Sequence, residues 1–453
     1  MQQYNRLFFH FLFCLLLTGL PFSKAMVSIA FVGLLILSFF LFFQKKPAFS
    51  IEGIKWTFPP IVLFMALGLS LLYSDNLSEG LNVLLSNAEM VGLPIILFLN
   101  RKQIKERFLF YLDWITIITV VAVLITIAFF FFSTDLSYWI TLKLPFLKEY
   151  IIHEKQLAFG AYSPFIDRLQ FAYLIAVVLM ALMWQFFRVR KDMSLFRGGI
   201  RIFQMVILLS GLLILGSRGA QLALLPALFV WALSSFKKFY ITFFPDCRPV
   251  FYYLGLVSSL FLFFVVLPVF AYQKIPAVKT RYDQLIWETG TFRDGTFKNY
   301  EYTHFTSIRR LLSWRNSLEI IVRHPLTGVG IGDYQQEMER QYAQDQLGFP
   351  VNTQSQFLYY WTSSGLIALF AFLGLLFFPV YQVKLMNNRL DRMLLLSFST
   401  FFFFVFLFDA PLNFQVGSMS YFLFYGLLTG FVGVRGQGQG ANSGNNTVLT
   451  QPD

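Results

Sequence analysis

The sequence has few charged residues, two cysteines and four histidines, and each shortage excludes a class of protein. Only 13% of the 453 residues are Asp, Glu, Lys or Arg, whereas soluble domains average about 25%. So few charges cannot cover a water-exposed surface, which excludes soluble enzymes and disordered scaffolds for most of the chain. Two cysteines cannot form a disulfide framework. The histidines form no HxxxH motif or Cys/His cluster, so we expect neither a metal site nor a cofactor.

Apolar residues, in contrast, dominate the chain: 57% of it is hydrophobic, 58 residues are phenylalanine, and the mean hydropathy is +0.61. A helix crosses the roughly 30 Å hydrocarbon core of a bilayer with about 20 such residues. We therefore predict an all-α polytopic membrane protein with about twelve transmembrane helices in a lipid bilayer. The predicted spans are 7–23, 26–43, 59–73, 80–99, 108–132, 166–187, 202–216, 219–235, 250–271, 355–380, 393–409 and 418–434.

The distribution of Lys and Arg orients these spans. With the N-terminus inside, twenty basic residues fall on inner segments and five on the short outer loops, which is the bias of a chain whose positive loops stay in the cytoplasm. Topology therefore explains most of the net charge of +12, and we expect no nucleic-acid partner. The first helix is expected to be retained; the alternative is a signal peptide cleaved after Ala25.

One outer connection is much longer than the others, and a connection of this length is usually functional. Between Ile308 and Val322 its apolar residues recur at helical spacing, which predicts an amphipathic helix that ends at Pro325 and three glycines. We interpret "GVGIGDY" as a turn, because a dinucleotide fingerprint needs a preceding strand. The predicted organisation is 1–271 with nine spans, 272–354 as the long, partly helical outer loop, 355–434 with three spans, and 435–453 as a disordered cytoplasmic tail.

Two arginines stand at the outer ends of predicted spans, where charge near a bilayer is costly and indicates function. Arg218 lies in a tight turn between two apolar helices and begins the second one. A guanidinium at the positive end of a helix suits a phosphate; the alternative is an arginine that only reaches lipid headgroups. Arg168 follows Asp167 at the start of the sixth span, and the two either neutralise each other or contact substrate.

Three segments, in this order, resemble the O-antigen ligase and O-antigen polymerase family of bacterial envelope-glycan enzymes. They are "GSRGAQLAL", "RLLSWRNSLEIIVRHPLTGVGIGDY" and "NTQSQFLYYWTSSGLIALF", and together they cover about residues 200–380. They resemble the family's S-R-G turn, its R-x-x-x-W segment with a following hPl-x-G-x-G, and its H-N-x-x-L helix start. The long outer loop between the ninth and tenth spans also agrees with the family.

The resemblance implies transfer of a glycan from a polyprenyl-diphosphate-linked donor to the hydroxyl of a glycan or lipid-linked sugar acceptor, without a metal, during surface polysaccharide or lipopolysaccharide biosynthesis. It also implies the bacterial inner membrane, with the active site facing the periplasm. Carried over to this sequence, the family's diphosphate-binding arginines correspond to Arg218 and to Arg310, which stands four residues before Trp314. Arg168 is the third candidate for diphosphate binding.

The sequence departs from the family where ligases carry His-Asn, because Gln354 and Ser355 stand there. An amide orients a hydroxyl but accepts no proton at neutral pH. Gln354 therefore stays a catalytic candidate that needs a separate base. The candidates for that base are His304, His324, Glu301 and Asp333. Because of this departure, a polymerase of the same family is an alternative to a ligase, and a membrane transporter is a more distant one.

Overall fold

The computed structural model describes residues 2–45, 54–143, 163–189, 193–243, 258, 267–274, 276–299, 306–345, 347 and 350–432. Every regular element within these ranges is helical, as the composition predicts. The α-helices are α1 Gln2–Phe22, α2 Lys24–Lys45, α3 Phe58–Leu69, α4 Leu77–Ser86, α5 Glu89–Leu99, α6 Arg101–Glu106, α7 Phe108–Lys143, α8 Arg168–Val189, α9 Leu195–Ile214, α10 Arg218–Phe243, α11 Leu267–Lys274, α12 Pro276–Arg293, α13 Thr306–Arg323, α14 Tyr334–Gln344, α15 Gln356–Val383, α16 Arg389–Phe408 and α17 Gln415–Phe431. Short 3₁₀ turns lie at Lys55–Thr57, Ser70–Tyr73, Thr296–Asn299 and Pro411–Asn413.

In the described part of the chain, nine helical segments are long and apolar enough to cross a bilayer, which confirms a polytopic membrane protein. They correspond to nine of the twelve predicted spans. Two further predicted spans match shorter helices: 219–235 falls on the apolar stretch Arg218–Leu233, and 418–434 falls on α17, which has 17 residues. The predicted span 250–271 lies mostly outside the described residues, and the predicted tail 435–453 lies wholly outside them. The total of twelve stays a prediction.

Helix α8 is the centre of the bundle. Of its most apolar stretch, 83% is buried, against 22% for α9. It packs against α1, α7, α9, α10, α16 and α17, so its side chains meet protein on nearly every side. Its first turns carry Gln170 and Tyr173 at one end of the bundle, and its last turns carry Trp184 and Arg188 at the other.

At one end of the bundle, residues of segments that were predicted to be inside contact the nearby ends of predicted spans. The Trp184 indole N–H donates to Asp391 at 2.8 Å, and Arg201 forms an ion pair with Asp113 at 2.5 Å. These pairs join α8 to α16 and α9 to α7. The loops that were predicted to be outer meet at the opposite end, which carries the site described below and is called the site end.

The predicted span 355–380 is interrupted in the structure, because α15 contains a break at Gly365. With 28 residues, α15 is about 42 Å long, which exceeds the roughly 30 Å hydrocarbon core. Gly365 has a φ of 72° and a ψ of −166°, which are not helical values. The loop after α13 fills the break through three backbone hydrogen bonds. They are Val329 N–H to Thr362 O at 3.0 Å, Gly330 N–H to Ser363 O at 2.9 Å, and Leu366 N–H to Leu326 O at 3.0 Å.

The predicted amphipathic helix is present as α13, and it ends at Arg323, two residues before Pro325. It packs between α12 and α15. Its middle is joined to the start of α15, because the Trp314 indole N–H donates to the Gln354 carbonyl at 2.9 Å. The turn after it is joined to the break at Gly365. Helix α13 therefore runs along the first segment of α15 and connects two regions of the site end.

Candidate active site

A carboxylate lies at the point where α16 ends. Asp409 accepts a hydrogen bond at 2.5 Å from the Tyr173 hydroxyl on α8 and one at 2.8 Å from the Ala410 N–H. Its carbonyl accepts the Gln356 N–H at 3.1 Å, which ties the start of α15 to the same place. Three helices therefore meet at Asp409, and its carboxylate is held in one orientation.

The electrostatic surroundings of Asp409 are mixed. Burial raises the pKa of its carboxyl above the ordinary value, and the negative charge of Asp167 acts in the same direction more weakly. The Tyr173 hydroxyl, the Ala410 N–H and the positive charge of Arg310 act in the opposite direction. A carboxylate with a raised pKa holds a proton more readily than an ordinary aspartate, so it is suited to accept a proton during a reaction.

Arg310 on α13 brings a positive charge close to the Tyr173–Asp409 pair. Its Nε is buried, and within the described residues it has no hydrogen-bond partner. An unpaired buried donor is costly, on the order of 1–3 kcal/mol and more when charged. Such a donor is expected to be satisfied by a ligand or by water. An anion placed beside Asp409 would satisfy it.

Gln354 is positioned next to the same stretch of α13. Its N–H donates to the Ser313 hydroxyl at 3.3 Å, and its carbonyl accepts the Trp314 indole N–H at 2.9 Å. The Trp314 ring also stacks on Phe408 with centroids 6.2 Å apart. Because Trp314 follows Arg310 by one helical turn, these contacts place Gln354, Arg310 and the end of α16 in one neighbourhood.

The turn that carries Arg218 lies next to Tyr173. A Cβ added to Gly219 would have the Tyr173 hydroxyl as its nearest neighbour, at 3.9 Å. The preceding Ser217 is buried, and its hydroxyl finds no partner among the described residues. Arg218 begins α10, so the N-terminal end of that helix adds partial positive charge here. The charge of Arg310 therefore acts on Tyr173 and Asp409 from α13, and the turn that carries Arg218 lies near the Tyr173 hydroxyl.

The remaining predicted residues lie at the start of α8, around the turn after α13, or outside the described residues. Arg168 begins α8, and the neighbouring Asp167 caps that helix by accepting the Leu169 N–H at 2.9 Å. Asp333 accepts the backbone N–H groups of Asp75 and Asn76 at 2.7 and 2.9 Å, so both its oxygens are occupied. His324 follows α13, fourteen residues and therefore about 21 Å beyond Arg310 along the helix. His304 and Glu301 lie outside the described residues.

Sequence reasoning missed Asp409 and Tyr173. Asp409 is the last residue of the predicted apolar span 393–409. Tyr173 is one of 21 tyrosines in the sequence. The position of Asp409 is the feature of the sequence that could have indicated a functional role. It is an acidic residue at the outer end of a predicted span, and a proline follows two residues later. An ionisable residue at such a depth indicates function.

Comparison with known protein families adds one result. Residues 203–373 match the family Wzy_C, described as O-antigen ligase. The matched range contains Arg218, Arg310 and Gln354, while Tyr173 and Asp409 lie on either side of it. No curated protein matches the chain.

Proposed function

We propose that this chain, whose residues 203–373 match the O-antigen ligase family, transfers a glycan from a polyprenyl-diphosphate carrier to a sugar hydroxyl of an acceptor. The match supports a function of the O-antigen ligase or polymerase type in a membrane. The donor, the acceptor and the residue roles below are parts of the proposal, as are the bacterial inner membrane and a site end that faces the periplasm.

The diphosphate of the donor is assigned to Arg310 and Arg218. The observation that carries this assignment is the buried Arg310 Nε, which has no hydrogen-bond partner within the described residues and lies beside the Tyr173–Asp409 pair. A guanidinium binds phosphate oxygens with two parallel hydrogen bonds. The N-terminal end of α10 adds to the attraction at Arg218. Arg168, at the start of α8, is the third candidate for diphosphate binding and is assigned to the outer part of the same phosphate site.

The proton acceptor is assigned to Asp409. The acceptor hydroxyl attacks the anomeric carbon of the donor, the bond from that carbon to the diphosphate oxygen breaks, and polyprenyl diphosphate leaves with the electron pair. The hydroxyl proton passes to a carboxylate oxygen of Asp409, whose pKa is raised by burial. The negative charge that develops on the diphosphate is stabilised by Arg310 and Arg218.

Gln354 is assigned an orienting role. Its backbone is fixed by Ser313 and Trp314, and an amide donates to and accepts from hydroxyl groups without changing charge. His324, about 21 Å along α13 from Arg310, is too far away to serve the same reacting atoms. With Asp409 present, the glutamine in place of histidine does not remove the base from the site.

Reconstitution tests the proposal. The purified protein is placed in vesicles with a polyprenyl-diphosphate-linked glycan and a sugar-bearing acceptor lipid, and the products are separated by gel electrophoresis. We expect a new bond between glycan and acceptor. Longer lipid-linked chains in place of that product would assign the polymerase reaction of the same family. Glycan that enters the vesicle without any new bond would contradict the proposal and indicate a transporter.

The Asp409→Asn variant tests whether Asp409 accepts the proton, and a control variant shows whether the same type of substitution damages the protein elsewhere. Removal of a general base typically lowers a rate by about 10²–10⁴-fold. Asp294→Asn is the control, because it makes the same chemical change at a side chain that is 58% exposed in the long outer loop 272–354. We expect transfer to be lost in Asp409→Asn and kept in Asp294→Asn at equal expression. Equal rates in the two variants would contradict the assignment.

A further inference from the structure

A second polar region of the site end lies around the turn that follows α13. It is a cavity of about 410 Å³, whose lining includes Tyr73, Asp75, His324, Gln336 and Arg340. Its size lies within the range of about 300–1,000 Å³ that is usual for small-ligand sites. The wall comes from three separate segments: the loop between α3 and α4, the glycine-containing turn after α13, and the first turns of α14.

The wall of this cavity is held rigidly. The Tyr73 hydroxyl donates to the Thr327 carbonyl at 2.6 Å, and the Ser74 hydroxyl accepts the Gly332 N–H at 2.9 Å. Gly328 has a φ of +68°, and a Cβ there would lie 2.6 Å from the Gly365 nitrogen. Side-chain hydroxyls of the loop bind backbone atoms of the turn, and the turn packs against the helix break, so the cavity is formed before any ligand arrives.

Three of the polar side chains that line this cavity have no internal hydrogen-bond partner in the described part of the chain. Within the described residues, those of Asp75, His324 and Gln336 have no hydrogen bond to another residue, and all three are exposed. Arg340 is 61% exposed and uses one nitrogen for Glu337 at 2.9 Å. The cavity therefore offers a carboxylate, an amide, an imidazole and a guanidinium. These groups complement neutral hydroxyl groups, because a hydroxyl both donates and accepts hydrogen bonds.

We propose that this cavity binds sugar residues of a glycan, at a distance from the reacting carbon. The inference rests on the proposed function for the identity of the enzyme, and it deepens that function by adding a carbohydrate subsite. His324 at the cavity lies about 21 Å along α13 from Arg310. The sugar that reacts at Asp409 therefore cannot occupy the cavity, and the bound sugars belong further along the chain of the donor or of the acceptor.

The first test measures binding without chemistry. The probe is a series of free oligosaccharides made by mild acid hydrolysis of the surface polysaccharide of the cells that carry the protein, and binding is measured by calorimetry on the detergent-solubilised full chain. We expect wild type to bind and Gln336→Ala to bind about tenfold more weakly, because one hydrogen-bonding group is lost. Gln335→Ala is the matched control, since Gln335 pairs with Glu339 outside the cavity. Its affinity should equal that of wild type.

The second test assigns the source of the bound sugars. Transfer is measured with donors of one and of many repeat units, and separately with short and long acceptor sugars. A lower kcat/KM of Gln336→Ala for only the long donors assigns the cavity to the donor glycan, and a lower value for only the long acceptors assigns it to the acceptor. Failure of wild type to bind any oligosaccharide, or equal binding by Gln336→Ala and Gln335→Ala, would overturn the inference. Binding without transfer would refute the proposed reaction and leave the carbohydrate site standing.

Discussion

Substitution of Gly365 by alanine is expected to destabilise the site end by several kcal/mol. An alanine Cβ at this position would lie 2.1 Å from the Leu326 carbonyl oxygen and 2.4 Å from the Thr327 carbonyl carbon, both of which are backbone atoms. The φ of +72° with a ψ of −166° adds strain of about 1–3 kcal/mol for any residue with a Cβ. Overpacking adds about 1–3 kcal/mol, so we expect a total of about 2–6 kcal/mol.

Gly374 in the same helix is the matched control. It is exposed, and a Cβ added there would meet nothing within 4 Å. Alanine in a helix interior is more favourable than glycine by about 0.5–1 kcal/mol. Gly374→Ala should therefore be neutral or slightly stabilising, although the chemical change is the same as in Gly365→Ala.

The assay is the apparent melting temperature of each purified variant, followed by tryptophan fluorescence in one detergent at one scan rate. Gly365→Ala should melt well below wild type and Gly374→Ala at or above it. Hydrogen exchange should locate the loss of protection in Gly365→Ala to Leu326–Gly330 and the break in α15. Equal melting temperatures for the two variants would show that the turn does not pack into the break as described.

Further predictions concern the proton acceptor and the opposite end of the bundle. Because the Tyr173 hydroxyl lowers the pKa of Asp409, the Tyr173→Phe variant should have a higher Asp409 pKa. The rising limb of its profile of kcat/KM against pH should therefore move to higher pH. A rising limb at the wild-type pH in Tyr173→Phe would argue against Asp409 as the base. Asp391→Ala should cost about 2 kcal/mol, because it leaves the partly buried Arg188 without its carboxylate at 3.5 Å. The exposed Arg392 supplies the control, Arg392→Ala, which should not change the melting temperature.

The sequence predicts the helices of the site end better than their contacts. Apolar spacing between Ile308 and Val322 predicts an amphipathic helix, and α13 spans Thr306–Arg323. The interpretation of "GVGIGDY" as a turn is confirmed, because Gly328 and Gly330 have positive φ values. Local periodicity and turn chemistry decide these features, and both can be read from neighbouring residues.

The break in α15 could not be predicted in the same way. The run around Gly365 is apolar enough to read as one continuous span, and a single glycine is tolerated within a helix. The break exists because the backbone of Leu326–Gly330 supplies the hydrogen bonds that the helix loses there. Those partners come from another part of the chain, so tertiary structure overrides the local pattern.

The proposed proton acceptor shows the same limit. Tyr173 and Asp409 are 236 residues apart in sequence, and no spacing rule connects them. The bases predicted from the sequence are His304, His324, Glu301 and Asp333, and Asp409 is not among them. A carboxyl group whose pKa is raised by burial depends on the packed bundle, and only the structure provides that packing.

Arg310 provides the most direct test of the account, because the proposal places the donor diphosphate on its guanidinium. The measurement is kcat/KM for glycan transfer by reconstituted Arg310→Ala, Arg310→Lys and Arg293→Ala. Arg293 is the matched control, since its side chain is 83% exposed in the same outer loop. We predict a loss of about 100-fold or more in Arg310→Ala, partial recovery with lysine because it cannot bind in two-pronged fashion, and the wild-type value in Arg293→Ala. Wild-type transfer by a folded Arg310→Ala protein would contradict the account.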